Sequence, residues 1–313
     1  MHKTVLTALA IYSKIKGMVG KISGKILINA YLKPVESVRQ AKRLKEEFSK
    51  LSCDVEILSN GFLSSMISDG KIKSNLSTAD FIIYLDKDKY LSNQLSAMPV
   101  RLFNTHESIM VCDDKGETYL ALSKCGIPVP DTIFGALCYD KSDKYPKDFL
   151  VEIGNRLKFP LVVKESFGSM GRGVYLANDI NELMDIAEKV KLKPHLFQKY
   201  LSFKVGTDIR VIVIGGKVIG AIKRSSETDF RSNVAVGGTA TAISLDKDFI
   251  EIAQKTAKAL SLDYCGIDIL YGDNGEPVIC EVNSNAFFEG MEKATGINVA
   301  KAYAEYVLSV VEK

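Results

Sequence analysis

Two carboxylates and a carboxamide, Asp268, Glu281 and Asn283, stand in two short apolar-rich segments with Asn274-Gly275 between them. Asn-Gly is the strongest short-range hairpin signal, so residues 265–271 and 277–283 read as paired strands. With Asn274 and Gly275 at the turn centre, Asp268 falls opposite Glu281. Side chains alternate along a strand, which puts Asn283 on the same face as Glu281. The reverse face is then apolar, with Ile267, Ile269 and Tyr271 against Val278, Cys280 and Val282. Directly opposed carboxylates repel. A hard cation that prefers oxygen ligands, Mg²⁺ or Mn²⁺, relieves that repulsion. Asp268, Glu281 and Asn283 are therefore the candidate metal ligands, with a solvated acidic edge as the plainer alternative.

A second cluster could handle phosphate. Phe159-Pro160-Leu161-Val162-Val163-Lys164 reads as a strand that ends in a cation and runs into Gly168-Ser169-Met170-Gly171-Arg172-Gly173. Glycines such as Gly171 let backbone N–H groups approach an anion, Ser169 adds a hydroxyl donor, and Lys164 supplies a point charge. The run has neither the Gly-Lys-Ser/Thr close of a P-loop nor dinucleotide-fold spacing. Alone, it fits a simple hairpin as well. Downstream, Leu196-Phe197-Gln198-Lys199-Tyr200-Leu201 leads into a polar loop ending Gly206-Thr207-Asp208-Ile209-Arg210. The backbone of such a linker can pair with an adenine, and Asp208 can take ribose hydroxyls. A solvated Asp on an inter-domain strand fits the same spacing. Beyond it, Arg224 and the run Asp229 to Asn233, with Arg231, Ser232 and Asn233, suit a transferring phosphoryl group or a developing oxyanion.

Recognisable elements must carry these groups. Strands are expected at 25–31, 55–58, 81–85 and 100–103, with a helix after Pro34 whose Val38, Ala41, Leu44, Phe48 and Leu51 recur at helical spacing. That order implies an open parallel α/β domain over residues 25–112. A central unit at 113–194 holds the glycine-rich loop, with helices near 115–124 and 180–190. A strand-rich unit at 195–313 holds the carboxylate hairpin, a Gly215-Gly216 hairpin and a closing helix near 299–311. Residues 1–24 form an N-terminal extension that reads as a short amphipathic, lysine-bearing helix.

The composition limits the partners. Lys+Arg number 41 against 38 Asp+Glu, too balanced for nucleic acid as the main ligand. No apolar run is long enough to cross a bilayer. The six cysteines contain no CxxC pair and read as reduced packing residues of a cytoplasmic protein.

In chain order these segments resemble the ATP-grasp superfamily, most closely the RimK-like α-L-glutamate ligases. The matching pieces are Asp114-Lys115; Pro160 to Lys164 with Gly168 to Val174; Gln198; Gly206 to Arg210; Lys223-Arg224; Asp229 to Asn233 with Gly237-Gly238; Gly266 to Leu270; Glu281 to Ser284; and Glu289-Gly290 with Lys293 to Ile297. The resemblance spans residues 104–313 and implies an ATP-grasp fold behind an open parallel pre-ATP-grasp domain, α/β overall and α+β in the C-terminal part. It implies ATP with Mg²⁺ or Mn²⁺. Lys115 and Lys164 fall on the ATP-phosphate lysines, and Lys199, Tyr200 and Leu201 on the adenine linker next to Gln198. Asp208 falls on the ribose position, Arg231, Ser232 and Asn233 on a nucleotide-contacting loop, and Asp268, Glu281 and Asn283 on the metal ligands. Three segments depart from the family pattern. Lys199 follows Gln198 where an acidic residue is common. Val234-Ala235-Val236 precede Gly237 in place of His-Arg. Ser284-Asn285-Ala286-Phe287-Phe288 replace Ser-Pro-Gly-Leu. The last two lie where the family binds acceptor or amino acid, and Phe287 and Phe288 fit either an apolar pocket or core.

The expected chemistry is transfer of the ATP γ-phosphoryl group to an acceptor carboxylate, then attack by an amine, with ADP and phosphate released. Lys164 and Arg231 would orient phosphates and Arg224 would stabilise the tetrahedral oxyanion. The expected partners are ATP, an amino acid such as L-glutamate, a carboxylate acceptor (peptide, protein C-terminus or small molecule) and a second copy of the chain. Rival expectations are a peptide-modifying ligase or macrocyclase, a phosphotransferase, and a non-catalytic ATP-binding module.

Overall fold

Short runs of consecutive apolar residues alternating with helices build the first sheet. The protein, seen here in a computed structural model, is described at residues 22–31, 35–63, 65–76, 78–169, 171–226, 229 and 239–312. The expected N-terminal helix, the Arg231-Ser232-Asn233 run and Val234 to Gly238 lie outside those residues. The first strands are β1 (Ser23–Ile28), β2 (Asp54–Ser59), a separate hairpin of β3 (Ser65–Ser68) and β4 (Lys71–Ser74), then β5 (Phe81–Leu85) and β6 (Arg101–Phe103). β2-β1-β5-β6 form one parallel sheet. Parallel sheets are covered on both faces. Here one face carries α1 (Val35–Lys50), and the other carries α2 (Lys89–Ser96) and α3 (His106–Asp113).

The chain then enters α4 (Lys115–Lys124), capped by the Asp114 carboxylate, which accepts from the Gly116 N at 2.8 Å. A central antiparallel sheet follows, ordered β7-β10-β8-β9, from β7 (Thr132–Phe134), β8 (Leu161–Glu165), β9 (Val174–Ala177) and β10 (His195–Lys199). β10 therefore belongs to the central sheet rather than to the sheet that follows it. Period-two alternation divides β8. Leu161 and Val163 pack under α5 (Lys147–Leu157) and α6 (Ile180–Val190), while Val162 and Lys164 face a cleft.

The last sheet is antiparallel, ordered β13-β12-β11-β14-β15. Its strands are β11 (Thr207–Ile214), β12 (Lys217–Ser225), β13 (Thr239–Ala242), β14 (Tyr264–Tyr271) and β15 (Pro277–Asn283). Gly215 and Gly216, at φ +54° and +75°, turn β11 into β12, where two left-handed residues match strand twist and favour glycine. One face packs Ile209, Val211, Ile267 and Ile269 beneath α7 (Lys247–Ala259). The opposite face is split. Its far half, with Ile212, Ile214 and Tyr264, is buried in one core with α1, Phe288 and α9 (Val299–Val311), which follows the short α8 (Glu289–Thr295). Its near half carries Asp208, Arg210 and Asp268 and is left open as a cleft wall. The architecture is thus α/β, parallel at the N-terminus and antiparallel, α+β in character, beyond it.

Candidate active site

Five strand residues at matched register form the charged wall. Asp208 on β11 pairs with Arg224 on β12, Arg210 on β11 pairs with Asp268 on β14, and Asp268 lies opposite Glu281 on β15. The expected confrontation of Asp268 and Glu281 is present, but it is reached by a different route. The connection is the five-residue stretch 272–276, so Tyr271 pairs with Pro277 and Ile269 with Ile279; a bulge at Cys280 then restores the register at Asp268–Glu281. As a correction to the alternation expected from the sequence, Ile279, fully buried, takes the place of both Val278 and Cys280 on the apolar back, and Val278 pairs with the cleft-lining Leu270. Cys280 turns into the cleft, where its Sγ lies 3.7 Å from the Lys164 Nζ.

Arginines neutralise this wall. Arg210 donates to Asp268 through Nε and Nη2, each at 2.6 Å. Buried Arg224 donates from Nε to Asp208 at 2.7 Å, contacts the second Asp208 oxygen through Nη2, and reaches Asp268 at 3.0 Å. Burial alone would raise the Asp268 carboxyl, but Arg210 and Arg224 outweigh it and hold it below the ordinary carboxylate value. Two donors of Arg224, expected to face an oxyanion, are thus engaged by carboxylates. Arg210, which no sequence argument singled out, is the arginine that lines the neighbouring cavity. Its i+2 relation to Asp208 on one strand was the available signal.

Facing this wall, Lys164 rises from β8 with its Nζ 3.3 Å from the Tyr119 hydroxyl. The Asp114 cap sets Lys115 at the first turn of α4, and its Nζ donates to the Gly168 carbonyl at 2.8 Å, tying the glycine-rich loop to the helix. Burial, with Lys164 nearby, pulls the Lys115 ammonium below its ordinary value despite Glu281. Ser169, Gly171 and the linker Gln198-Lys199-Tyr200-Leu201 line the same cleft, as do the apolar Val162, Phe203, Leu270 and Tyr271. Gln198 is buried and spends its Nε2 on Thr132 Oγ1 at 2.9 Å. Lys199 Nζ pairs with Asp273 at 2.6 Å, fastening the linker to the β14–β15 connection.

A second cavity of about 380 Å³ opens where β1 and β5 end, at the C-terminal edge of the parallel sheet. Asn29, Asp86, Lys87, Arg210, Asn283 and Asn285 line it. Asp86 accepts from Asn29 at 3.1 Å and from Asn60 at 2.6 Å, and burial lifts its carboxyl above the ordinary value. Ser169 and Glu281 line both cavities. The two aromatics open to either use divide between them: Phe288 is core and Phe287 borders the second cavity.

The donor set suits a hard divalent ion. The side chains of Glu281 and Asn283 carry no hydrogen bond or ion pair to any described residue; both residues line the second cavity, and Glu281 lines the cleft as well. Asp268 meets three arginine nitrogens, which leaves about one of its four lone-pair sites for a metal. Among the described residues no three His, Cys, Asp or Glu side chains are grouped to hold a metal, so two carboxylates and an amide would need oxygens from elsewhere, such as phosphate. No helix of the described residues is long and apolar enough to cross a membrane.

A family model described as a RimK-like ATP-grasp domain matches residues 112–307. The chain is 35% identical over 227 residues to beta-citrylglutamate synthase B of Homo sapiens, covering 72% of this chain and 57% of that protein, a little over half its length. It is 38% identical over 217 residues to a probable alpha-L-glutamate ligase of Maridesulfovibrio salexigens, covering 68% of this chain and 69% of that one. A solved structure of the ATP-grasp ligase PsnB, complexed with a phosphomimetic variant of minimal precursor, Mg and ADP, superposes with a TM-score of 0.67 at 16% identity, over 94% of this chain and 99% of that one. At that identity the likeness speaks for the fold. With the family model spanning most of the chain and the Maridesulfovibrio salexigens relative covered over two thirds of its own length, the chain belongs to the RimK-like ATP-grasp family.

Proposed function

We propose that the protein is an ATP-dependent carboxylate–amine ligase that activates an acceptor carboxylate as an acyl phosphate and joins it to the amine of an amino acid such as L-glutamate. The observation that carries this reading is the meeting of the lysine-lined cleft and a polar cavity at Ser169 and Glu281. One cavity can thereby present a terminal phosphate to a carboxylate held in the other. The working division is a pre-ATP-grasp unit at 25–112, a central unit at 113–194 joined by β10, and a C-terminal unit to residue 313.

Each group has a task in this reading. The linker Lys199 to Leu201 receives adenine through its backbone, between Val162, Phe203 and Leu270, while Asp208, oriented by Arg224, takes the ribose. Lys115 and Lys164 draw the phosphates toward the Gly168 to Gly173 loop, and Ser169 caps them. Asp268, Glu281 and Asn283 would hold Mg²⁺, which when bound supplies positive charge against the phosphates. The acceptor carboxylate oxygen attacks the γ-phosphorus and the bond to ADP breaks. The amine then attacks the acyl carbon, phosphate leaves, and the amine proton passes to phosphate or solvent. Arg210 spends two nitrogens on Asp268 just as Arg224 spends two on Asp208, but it alone of the pair lines the polar cavity, so its remaining donor is the one to stabilise the oxyanion of that second step. The roles of Arg231, Ser232 and Asn233 in holding phosphate remain part of the proposal. Closure of the glycine loop excludes the water that would hydrolyse the acyl phosphate.

Incubation with ATP, Mg²⁺, a panel of acids and hydroxylamine tests the reading. Hydroxamate with equimolar ADP and phosphate is expected. Formation of AMP and pyrophosphate, or a stable phosphorylated product that hydroxylamine does not trap, overturns it.

A further inference from the structure

Tyr119 lies one helical turn after Lys115 on α4, is 2% exposed, and lines neither the cleft nor the polar cavity. Its hydroxyl is nonetheless joined to three strands. It donates to the Cys280 carbonyl on β15 at 2.6 Å. It accepts from the Lys164 Nζ on β8 at 3.3 Å, and the Gln198 side chain on β10 bonds to it as well. A tyrosine hydroxyl has one proton and two lone pairs, so all of its bonding capacity is in use. On a helix, positions i and i+4 share a face. One face of α4 thus reaches both ends of the phosphate segment, with Lys115 on the Gly168 carbonyl and Tyr119 on Lys164.

The direction of each bond decides what this junction does. Its only proton goes to Cys280, so the oxygen meets Lys164 solely as an acceptor. The Lys164 ammonium has three N–H groups. One goes to Tyr119 and a second to the Cys280 Sγ at 3.7 Å. Among the described residues the third has no partner, and Lys164 lines the cleft. A lysine on its four-carbon stem otherwise samples many rotamers. We infer that Tyr119 is a positioning residue whose hydroxyl fixes the Lys164 ammonium before a nucleotide arrives, so that the remaining N–H is presented to a phosphate oxygen. This rests on the phosphate role given to Lys164 in the ligase reading above. The benefit is preorganisation, since ordering that side chain no longer has to accompany binding.

Affinities for ADP and for adenosine are measured by calorimetry, without turnover, in wild type, Tyr119→Phe, Lys164→Met and the double variant. Tyr119→Phe removes one oxygen. It is expected to weaken ADP about tenfold, the cost of ordering one lysine side chain on binding, and to leave adenosine unchanged. On Lys164→Met the same change should weaken ADP by less than about twofold, because no ammonium is left to place. A loss shared equally by ADP and adenosine assigns the hydroxyl to the Gln198 linker or to the fold at large, and overturns the inference. So does a tenfold loss repeated on Lys164→Met, or an ADP affinity that Tyr119→Phe leaves unchanged. Should Tyr119→Phe fail to fold, nitrogen NMR of the wild-type ammonium groups decides, with the Lys164 signal assigned by its loss in Lys164→Met. An ordered, slowly exchanging Lys164 ammonium is expected without nucleotide, and one that exchanges as a surface lysine does overturns the inference. Failure of every acid to release ADP removes the ligase reading, and the binding cycle still decides the role of Tyr119.

Discussion

Glu281 and Arg224 stand on the same wall of the cleft, and their loss should act in opposite directions. Glu281 opposes Asp268 and has no described hydrogen-bond partner, so Glu281→Gln relieves a like-charge contact and should leave Tm unchanged or higher. It also removes a candidate metal oxygen, and hydroxamate formation should fall about 100-fold. Arg224→Met leaves Asp208 and Asp268 buried without their shared guanidinium. That costs roughly 3 kcal/mol and should lower Tm by roughly 6–12 °C. Thermal unfolding beside the hydroxamate assay separates the two. A Glu281→Gln protein that loses stability as Arg224→Met does would show Glu281 to be structural. This wall was partly legible in the sequence. The facing of Asp268 and Glu281 follows from turn and alternation, yet the turn was longer than Asn-Gly implies and a bulge at Cys280 cancelled the difference. Bulges leave no composition signal, so the thiol beside Lys164 could not be foreseen. Arg210 could have been, since alternation puts it on the face of Asp208.

The loop between β8 and β9 and the first turn of α4 act as one element, because the Lys115 Nζ holds the Gly168 carbonyl. Burial and Lys164 lower Lys115 from its ordinary 10.5, so its charge is lost earlier than a free lysine's as pH rises. Lys164 is shifted the other way despite its burial, held above that value with the Tyr119 hydroxyl and the Glu281 carboxylate beside it. The affinity of the free enzyme for ATP should therefore show an alkaline limb below pH 10.5 that belongs to Lys115. Lys115→Arg should move that limb upward, because a guanidinium does not deprotonate there. Lys115→Met should abolish it and weaken ATP binding about tenfold or more, by loss of one charge-assisted contact and of the tie to the loop. Calorimetric ATP titrations from pH 7 to pH 10 decide it, and a limb unchanged in Lys115→Arg would point to another group. Helix α4 and strand β8 were legible from periodicity and from the Asp114 cap. The tie between them was not, because it joins a side chain to a carbonyl 53 positions away.

At the scale of the whole molecule, the polar cavity exists only because the parallel sheet docks against the last sheet. Asn29 and Asp86 gained a role no local pattern announces, since strand ends become a site only when another surface covers them. The docking is secured where α1 meets α9. Glu47, 3% exposed at its side chain, accepts from Arg43 and Lys50 at 2.8 Å each and from Asn298 at 3.1 Å, and Arg43 also donates to the Asn298 oxygen. Burial opposes its charge, but Lys50, Arg43 and Asn298 outweigh it and bring the carboxyl from 4.5 down to about 2. A carboxyl lowered on folding adds stability that is full above its unfolded value and fades as pH falls through the folded one. Discounted for the exposure of Lys50 and Arg43, that contribution is about 1–2 kcal/mol at neutral pH. Glu47→Gln should therefore unfold at lower urea than wild type at pH 7, and the gap should narrow as pH is taken from 4.5 toward 2. Because the clamp shapes the second cavity and not the nucleotide cleft, the same variant should raise KM for the acceptor and leave ADP affinity alone. A gap independent of pH would assign the loss to packing, and a weakened ADP affinity would mean that the parallel sheet and the nucleotide cleft move together.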